Sequence, residues 1–233
     1  MTTYIPQQNI LLSALSKDAQ GRLFQHLECV ELPLGEVIYE SGDAVHHVYF
    51  PTDAIISMLY MTESGASTEI SVVGNEGVIG IELCMSGESM PGQAVVQSGG
   101  YAYRLPGPRF KEEFNRHGEL LKLIMRYTQA LITQTSQTAV CNRHHSIGQQ
   151  LCRWLLLSLD RVPSNQLNMT QELIANNLGV RREGITEAAR KLQRQGVIEY
   201  CRGHICVLDR PKLEQLSCEC YAVVKKETDR LLP

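Results

Sequence analysis

Arg182, Glu183, Thr186, Glu187 and Arg190 recur at helical spacing within RREGITEAAR, so a helix there would gather them on one outward face. An arginine guanidinium donates a matched pair of hydrogen bonds to the edge of guanine, and a carboxylate accepts from the amino group of cytosine. Arg182 and Glu183, at the start of such a helix, have the chemistry of a major-groove reader. Glu183, Glu187, Arg190 and Lys191 can also pair along a solvated helix, so base reading is assigned to Arg182 and Glu183 only. Thr170, Gln171, Arg181, Thr186, Glu187 and Arg190 complete the set expected to lie against DNA on this segment.

The segment that must position these side chains is TQELIANNLGVRREGITEAARKL, from Thr170 to Leu192. Apolar residues at Ile174, Leu178, Val180, Ile185 and Ala188 give each of two short helices a buried face. Ala175 is small where the backbones approach, and Gly179 tolerates the positive φ of a tight turn. This is the pattern of a helix-turn-helix, with a second helix expected from about Arg182 to Gln195. Gly196 ends it, and Val197 to Cys201 and His204 to Leu208 read as two strands joined by Arg202-Gly203. Such a hairpin is a wing, and it makes Arg202 and His204 candidate phosphate contacts.

A chain of 233 residues, 43% hydrophobic and 20% charged, is long enough for two domains and too apolar to be disordered. The net charge of −3 looks wrong for a nucleic-acid binder until the chain is divided at Asn142. Residues 1–142 hold eight Lys/Arg against 15 Asp/Glu, net −7, and residues 143–233 hold 14 against 10, net +4. The basic half is the helix-turn-helix half. No apolar run reaches the length of a membrane span, the N-terminus lacks a signal-peptide layout, and a cytoplasmic protein without membrane association is expected. Nucleophile-elbow, P-loop, zincin and dinucleotide fingerprints are all missing, so an enzyme is not expected.

Cys29, Cys84, Cys141, Cys152, Cys201, Cys206, Cys218 and Cys220 form no C-x-x-C pair and no finger spacing. They are expected to be free thiols. Cys218 and Cys220 point apart if they lie on one helix, and His144-His145 has no nearby ligand partner in sequence. No metal site and no cofactor are therefore expected.

Toward the N-terminus, Ile10, Leu11, Leu12, Leu15, Leu23, Phe24 and Leu27 read as one or two short helices. From Cys29 the apolar period falls to two, through Val30, Leu32, Val37, Ile38, Val48, Phe50, Ile55, Ile56, Met58, Tyr60, Ile70 and Val72, broken by glycines and Pro51. Short strands at that spacing imply a sandwich or barrel. The run GEVIYESGDAVHHVYFP from Gly35 resembles the opening of the cyclic-nucleotide-binding β-roll. Followed by a helix-turn-helix and a wing, the whole order resembles the Crp/Fnr superfamily of bacterial transcription regulators, over nearly the full chain.

That resemblance implies an α+β fold: an N-terminal β-roll sensor domain (double-stranded β-helix/jelly-roll-like) over 1–118, a long dimerisation helix and hinge over 119–145, and a C-terminal winged helix-turn-helix domain with a final helix over 146–233. It also locates an effector pocket at Gly77, Val78, Gly80, Gln93, Ala94, Thr135 and Ser136. Relatives that bind cyclic AMP hold its ribose with a Glu and its phosphate with an Arg. This chain has Val78 and Gly92 at those places, so a buried phosphate would lack its cation, and cyclic AMP binding of the usual kind is not expected. Nor is there the N-terminal cysteine cluster of iron–sulfur relatives.

Phe110 opens a helical region expected to continue to about Asn142. Within it Leu120, Ile124, Tyr127, Leu131, Gln134, Thr138 and Cys141 step by four and three, a heptad seam that resembles the family's dimer helix. A helix packed on its own β-roll would show the same period. Ser146 is placed to cap a helix from Ile147 to Asp160, and Asp209 to cap a single last helix carrying Leu213, Leu216, Cys220, Val223 and Val224. The expected function is sequence-specific regulation of transcription by a homodimer on a palindromic operator. The partners expected are double-stranded DNA, a second copy of the chain, RNA polymerase and a small-molecule effector of unidentified chemistry. The alternative is an effector- or redox-sensing protein with vestigial DNA binding.

Overall fold

The computed structural model describes residues 4–85, 89–162, 164–201 and 203–232. Two short helices, α1 (Ile10–Ser13) and α2 (Lys17–Phe24), open the chain, each capped by a side chain: Asn9 accepts from the Leu12 N–H and Ser16 from the Ala19 N–H. The fully buried Asn9 amide also donates to the carbonyls of Pro51 and Gly77, tying α1 to the strands that follow.

Seven strands follow: β1 (Glu28–Leu32), β2 (Val37–Tyr39), β3 (His47–Pro51), β4 (Ile55–Met61), β5 (Ser67–Val73), β6 (Gln93–Ser98) and β7 (Gly100–Pro106). They form two antiparallel sheets, ordered β1-β7-β3 and β2-β6-β4-β5. Both sheets contribute to one core, in which Phe50, Ile56, Val96 and Leu105 are almost completely buried. The period of two has a direct consequence on β4. Ile56 faces the roll interior, while its neighbour Ile55, on the other face, joins a second core together with Val72. The roll therefore has two buried faces over this sheet.

Helix α3 (Gly107–Phe114) closes the roll, and α4 (Glu119–His144) packs along it. A helical region from Phe110 to about Asn142 was expected, with the long helix beginning at 119. The structure breaks that region at Asn115–Gly118, where His117 adopts a φ of 58° that no α-helix contains.

Beyond α4 come α5 (Ile147–Leu159), β8 (Gln166–Asn168), α6 (Gln171–Leu178), α7 (Arg182–Arg194), β9 (Ile198–Cys201), β10 (His204–Val207), α8 (Arg210–Leu216) and α9 (Glu219–Leu231). Ser146 and Gln149 cap α5 reciprocally. The wing hairpin β9–β10 gains a third strand, β8, that sequence patterning missed because three residues are too few to show a period. The single expected last helix is two, broken at Ser217-Cys218: Ser217 and Cys218 are extended, with ψ of 167° and 166°.

Candidate DNA-reading face and sensor cavity

Helix α7 separates its faces cleanly. Ile185, Ala189 and Leu192 are buried against the domain core, and Arg181, Arg182, Glu183, Glu187 and Arg190 are exposed. Each fully buried Ile or Leu contributes about 1.5–3 kcal/mol, enough to fix the rotation of the helix and hence the direction in which Arg182 points. Gly179 ends α6 at a φ of 63°, and a Cβ there would lie 2.6 Å from Thr68 Oγ1 of the roll. On α7, a Cβ at Gly184 would meet the end of the Ile147 side chain at 2.7 Å, so a larger residue there would have to displace it.

Three of the side chains expected on DNA are engaged internally. Thr170 caps α6 by accepting from the Leu173 N–H, while the Thr186 hydroxyl donates to Gln171 Oε1 at 2.6 Å and so braces α6 against α7. These bonds cap α6 and fix it relative to α7. Arg182 lies 3.8 Å from Glu172, a contact between two exposed groups that screening by solvent leaves weak. On the wing, exposed His204 is bonded through Nδ1 to Asn168 Oδ1 at 2.7 Å, and Arg202 lies outside the described residues. Lys191 and Arg194, which the sequence analysis left out of the DNA-contacting set, extend the outward basic face alongside Arg190.

A cavity of about 410 Å³ lies between the roll and α4. Its walls are apolar (Met58, Ile70, Val73, Ile81, Leu131), with Thr128, Thr135, Ser136, Glu82 and the Tyr127 phenol supplying polarity. Tyr127 is 3% exposed and its hydroxyl has no partner meeting hydrogen-bond geometry. Burial also raises the pKa of Glu82. No lysine or arginine lines the cavity among the described residues.

Of the residues expected in an effector pocket, Val78, Gly80, Thr135 and Ser136 line this cavity, whereas Gly77, Gln93 and Ala94 do not. Gly77 lies under the Tyr127 ring, where a Cβ would come within 2.6 Å of it. Gln93 points outward and donates to Glu40 at 2.7 Å, and Ala94 is fully buried on β6. A Cβ at Gly92 would sit 2.7 Å from both the Leu59 carbonyl and the Tyr60 ring, so no larger side chain fits there without backbone movement.

The expected dimer seam is corrected by the packing of α4. Leu120, Ile124, Tyr127, Gln134, Thr138 and Cys141 are all buried within the protomer, and Leu131 packs on the roll core. Gln134 bonds in both directions to the backbone of Val72, and Thr138 accepts from the buried Arg153. The period was real, but it marks the helix face that covers its own roll. The exposed face is one residue on, with Met125 at 58% and Ile132 at 55% exposure.

A buried polar network joins the roll to the helix-turn-helix domain. Glu69 accepts from Trp154 Nε1 at 2.9 Å and from Asn177 Nδ2 at 3.1 Å, and Ser57 donates to it at 2.5 Å. Gln97 bonds to Ser158, and Arg161 pairs with Glu76 at 2.7 Å. Burial pushes Glu69 up to about 7, against the pull of its hydrogen-bond donors.

The eight cysteines are free thiols, as expected, and Cys141, Cys218 and Cys220 are buried together, a convergence that their spacing in sequence did not suggest. Cys141, His145, Cys218 and Cys220 converge at the end of α4, with their ligand atoms all within 4.8 Å of one another. Cys218 is the N-cap of α9 and not a helical residue, so the rule that residues two apart on a helix diverge does not apply to it.

Residues 29–117 match the cyclic nucleotide-binding domain family and residues 149–216 the Crp-like helix-turn-helix domain family. No curated protein matches the chain. Among solved structures, a transcriptional regulator of the crp/fnr family from Eubacterium rectale is 17% identical with a TM-score of 0.69, over 90% of this chain and 98% of its own. FixK2 from Bradyrhizobium japonicum is 16% identical with a TM-score of 0.69, over 82% and 98%. The c-di-GMP responsive global regulator CLP from Xanthomonas campestris is 14% identical with a TM-score of 0.65, over 82% and 99%.

Proposed function

The chain belongs to the Crp/Fnr family of transcription regulators, with a cyclic nucleotide-binding domain and a helix-turn-helix DNA-binding domain, and from that premise we propose how it acts. It binds a palindromic operator as a homodimer, reading bases with Arg182 and Glu183, and it answers to a small, largely apolar effector rather than to cyclic AMP. The observation that carries the DNA-binding part is the outward face of α7, where five exposed charged side chains stand opposite a fully buried Ile185. Phosphate contacts fall to Arg190, Lys191 and Arg194 and to the wing, since cations supply the sequence-independent share of affinity.

The effector reading rests on the cavity lining. Its size suits a small molecule, for which sites of roughly 300–1,000 Å³ are usual. A cyclic phosphate placed there would meet Val78 and no cation, an uncompensated charge costing several kcal/mol. Dimerisation uses the stripe of exposed Met125, Ile132 and Ala139 and half-buried Leu121, Thr128 and Thr135, which steps by four and three along α4. Because Thr128, Ile132 and Thr135 also line the cavity, a partner helix on this stripe would complete its wall. RNA polymerase is the protein partner that the reading carries, and a cytoplasmic location accords with it: no helix among the described residues is long and apolar enough to cross a membrane.

A genome-wide footprint of the bound protein tests the assignment. Discrete sites sharing one inverted repeat are expected. Binding spread without a shared motif would return the chain to a sensing role with vestigial DNA contact.

A further inference from the structure

Cys141 and His145 are four residues apart at the C-terminal end of α4, on one side of the helix, and His145 is its C-cap. Cys218 and Cys220 come from the start of α9, more than 70 residues later in the chain. The fold brings the four together at bonding scale. Cys141 Sγ lies 3.5 Å from Cys218 Sγ, and Cys220 Sγ lies 3.6 Å from His145 Nδ1. A tetrahedral zinc ion with bonds of about 2.3 Å to sulfur and about 2.0–2.1 Å to nitrogen requires ligand-to-ligand edges of roughly 3.5–3.8 Å. These two pairs already have those edges, and the remaining ones, all within 4.8 Å, need to close by about an ångström or less.

Three further features fit an ion at the centre. His145 offers Nδ1 to the cluster while its Nε2 lies 3.3 Å from Glu219 Oε1, so a carboxylate orients the imidazole from behind. The backbone carbonyl of His145 accepts from the buried Gln150 amide at 2.9 Å, which fixes the ligand's main chain. Three thiolates and one divalent ion leave a net charge of −1 in a buried site. Arg153, 4% exposed and without an ion-pair partner among the described residues, acts electrostatically on both Cys141 and Cys220 and offsets that charge.

We propose that Cys141, His145, Cys218 and Cys220 form a closed Cys₃His site for one zinc-class divalent ion, stapling α9 to the end of α4. Four protein ligands leave no open position for substrate, so the site is structural and not catalytic. Helix α9 packs beside α4, and Leu232, just past its end, joins the core of the roll. The ion thus ties the C-terminal extension across the junction between the two domains.

The test uses the full chain, purified under reducing, anaerobic conditions, stripped of metal and titrated with cobalt(II). One equivalent is expected to give tetrahedral d–d absorption with thiolate charge transfer, reversed by one equivalent of zinc(II). Bound zinc should also shield Cys141, Cys218 and Cys220 from alkylation, as read by peptide mass spectrometry. Cys220→Ser and His145→Ala should weaken binding at least tenfold, His145→Cys should retain one equivalent with stronger charge transfer, and Glu219→Gln should weaken it by about 10–100-fold. Cys84→Ser, outside the cluster, should leave binding unchanged. The wild-type titration stands whether or not a variant folds. An octahedral spectrum, no stoichiometric uptake by the reduced protein, or a Cys141–Cys218 disulfide that reforms in preference to metal binding would overturn the proposal.

Discussion

Arg182 and Glu187 divide the chemistry of the reading helix between them. Both are exposed on α7 five residues apart, yet a carboxylate cannot donate to guanine and is repelled by the phosphates it passes. Glu187→Arg should therefore raise affinity for all sequences and shift the base preferred at one operator position, measured by fluorescence anisotropy on a panel of point-substituted operators. A fall in affinity would mean that Glu187 makes a favourable contact, such as one to a cytosine amino group. The family resemblance puts Val78 and Gly92 at the places of the acid and the cation that hold a cyclic nucleotide, and of the two Val78 lines the sensor cavity. Calorimetry with cyclic AMP should show no micromolar binding, and operator affinity should not change when the nucleotide is added. The exposed charged face of α7 was legible in the sequence because it needs only period and residue type. Thr186 and Gln171 were not, since a hydroxyl on that face looks the same whether it meets DNA or braces a neighbouring helix.

Helix α4 shows where period alone falls short. It has two apolar stripes one residue apart, and the heptad rule selected the more apolar one, which the structure spends on covering the roll. Ile132→Lys should therefore shift the protein from dimer to monomer in sedimentation at micromolar concentration while leaving thermal unfolding of the protomer nearly unchanged. Leu131→Lys, one position away, places a charge against the roll core and should lower the unfolding temperature instead. A dimer that survives Ile132→Lys would move the interface elsewhere. The convergence of the C-x-C pair with Cys141 and His145 was hidden for a related reason: it depends on Cys218 lying outside α9 and on residues of α4, neither of which local spacing contains. Short β8 and the break at His117 likewise turn on tertiary contact and on a single φ value.

At the scale of the molecule, the helix-turn-helix domain is docked on the roll through Glu69, Trp154, Asn177 and Gln97, so the DNA reader and the sensor share one buried polar seam. Docked, Glu69 titrates at about 7; released to water, it returns to an ordinary value near 4.5. The docked state therefore holds the extra proton between these values. By linkage, docking is strongest below about 4.5, weakens as pH rises through the window, and is weakest above about 7. Trp154 fluorescence and amide exchange in α6 should follow that profile, and Glu69→Gln should flatten it, whereas a flat profile in the wild type would remove Glu69 from the seam's energetics. The central claim is that this molecule reads DNA sequence through α7, and the most direct measurement is selection of operators from random DNA, at one fixed salt concentration, by the wild type and by Arg182→Ala. The wild type should enrich an inverted repeat with half-sites one helical turn apart, about 10 base pairs centre to centre. Arg182→Ala should relax one base pair in each half-site and lose about 1–3 kcal/mol at the wild-type sequence. The same selected sequence from both proteins, or no enrichment by the wild type, would contradict it.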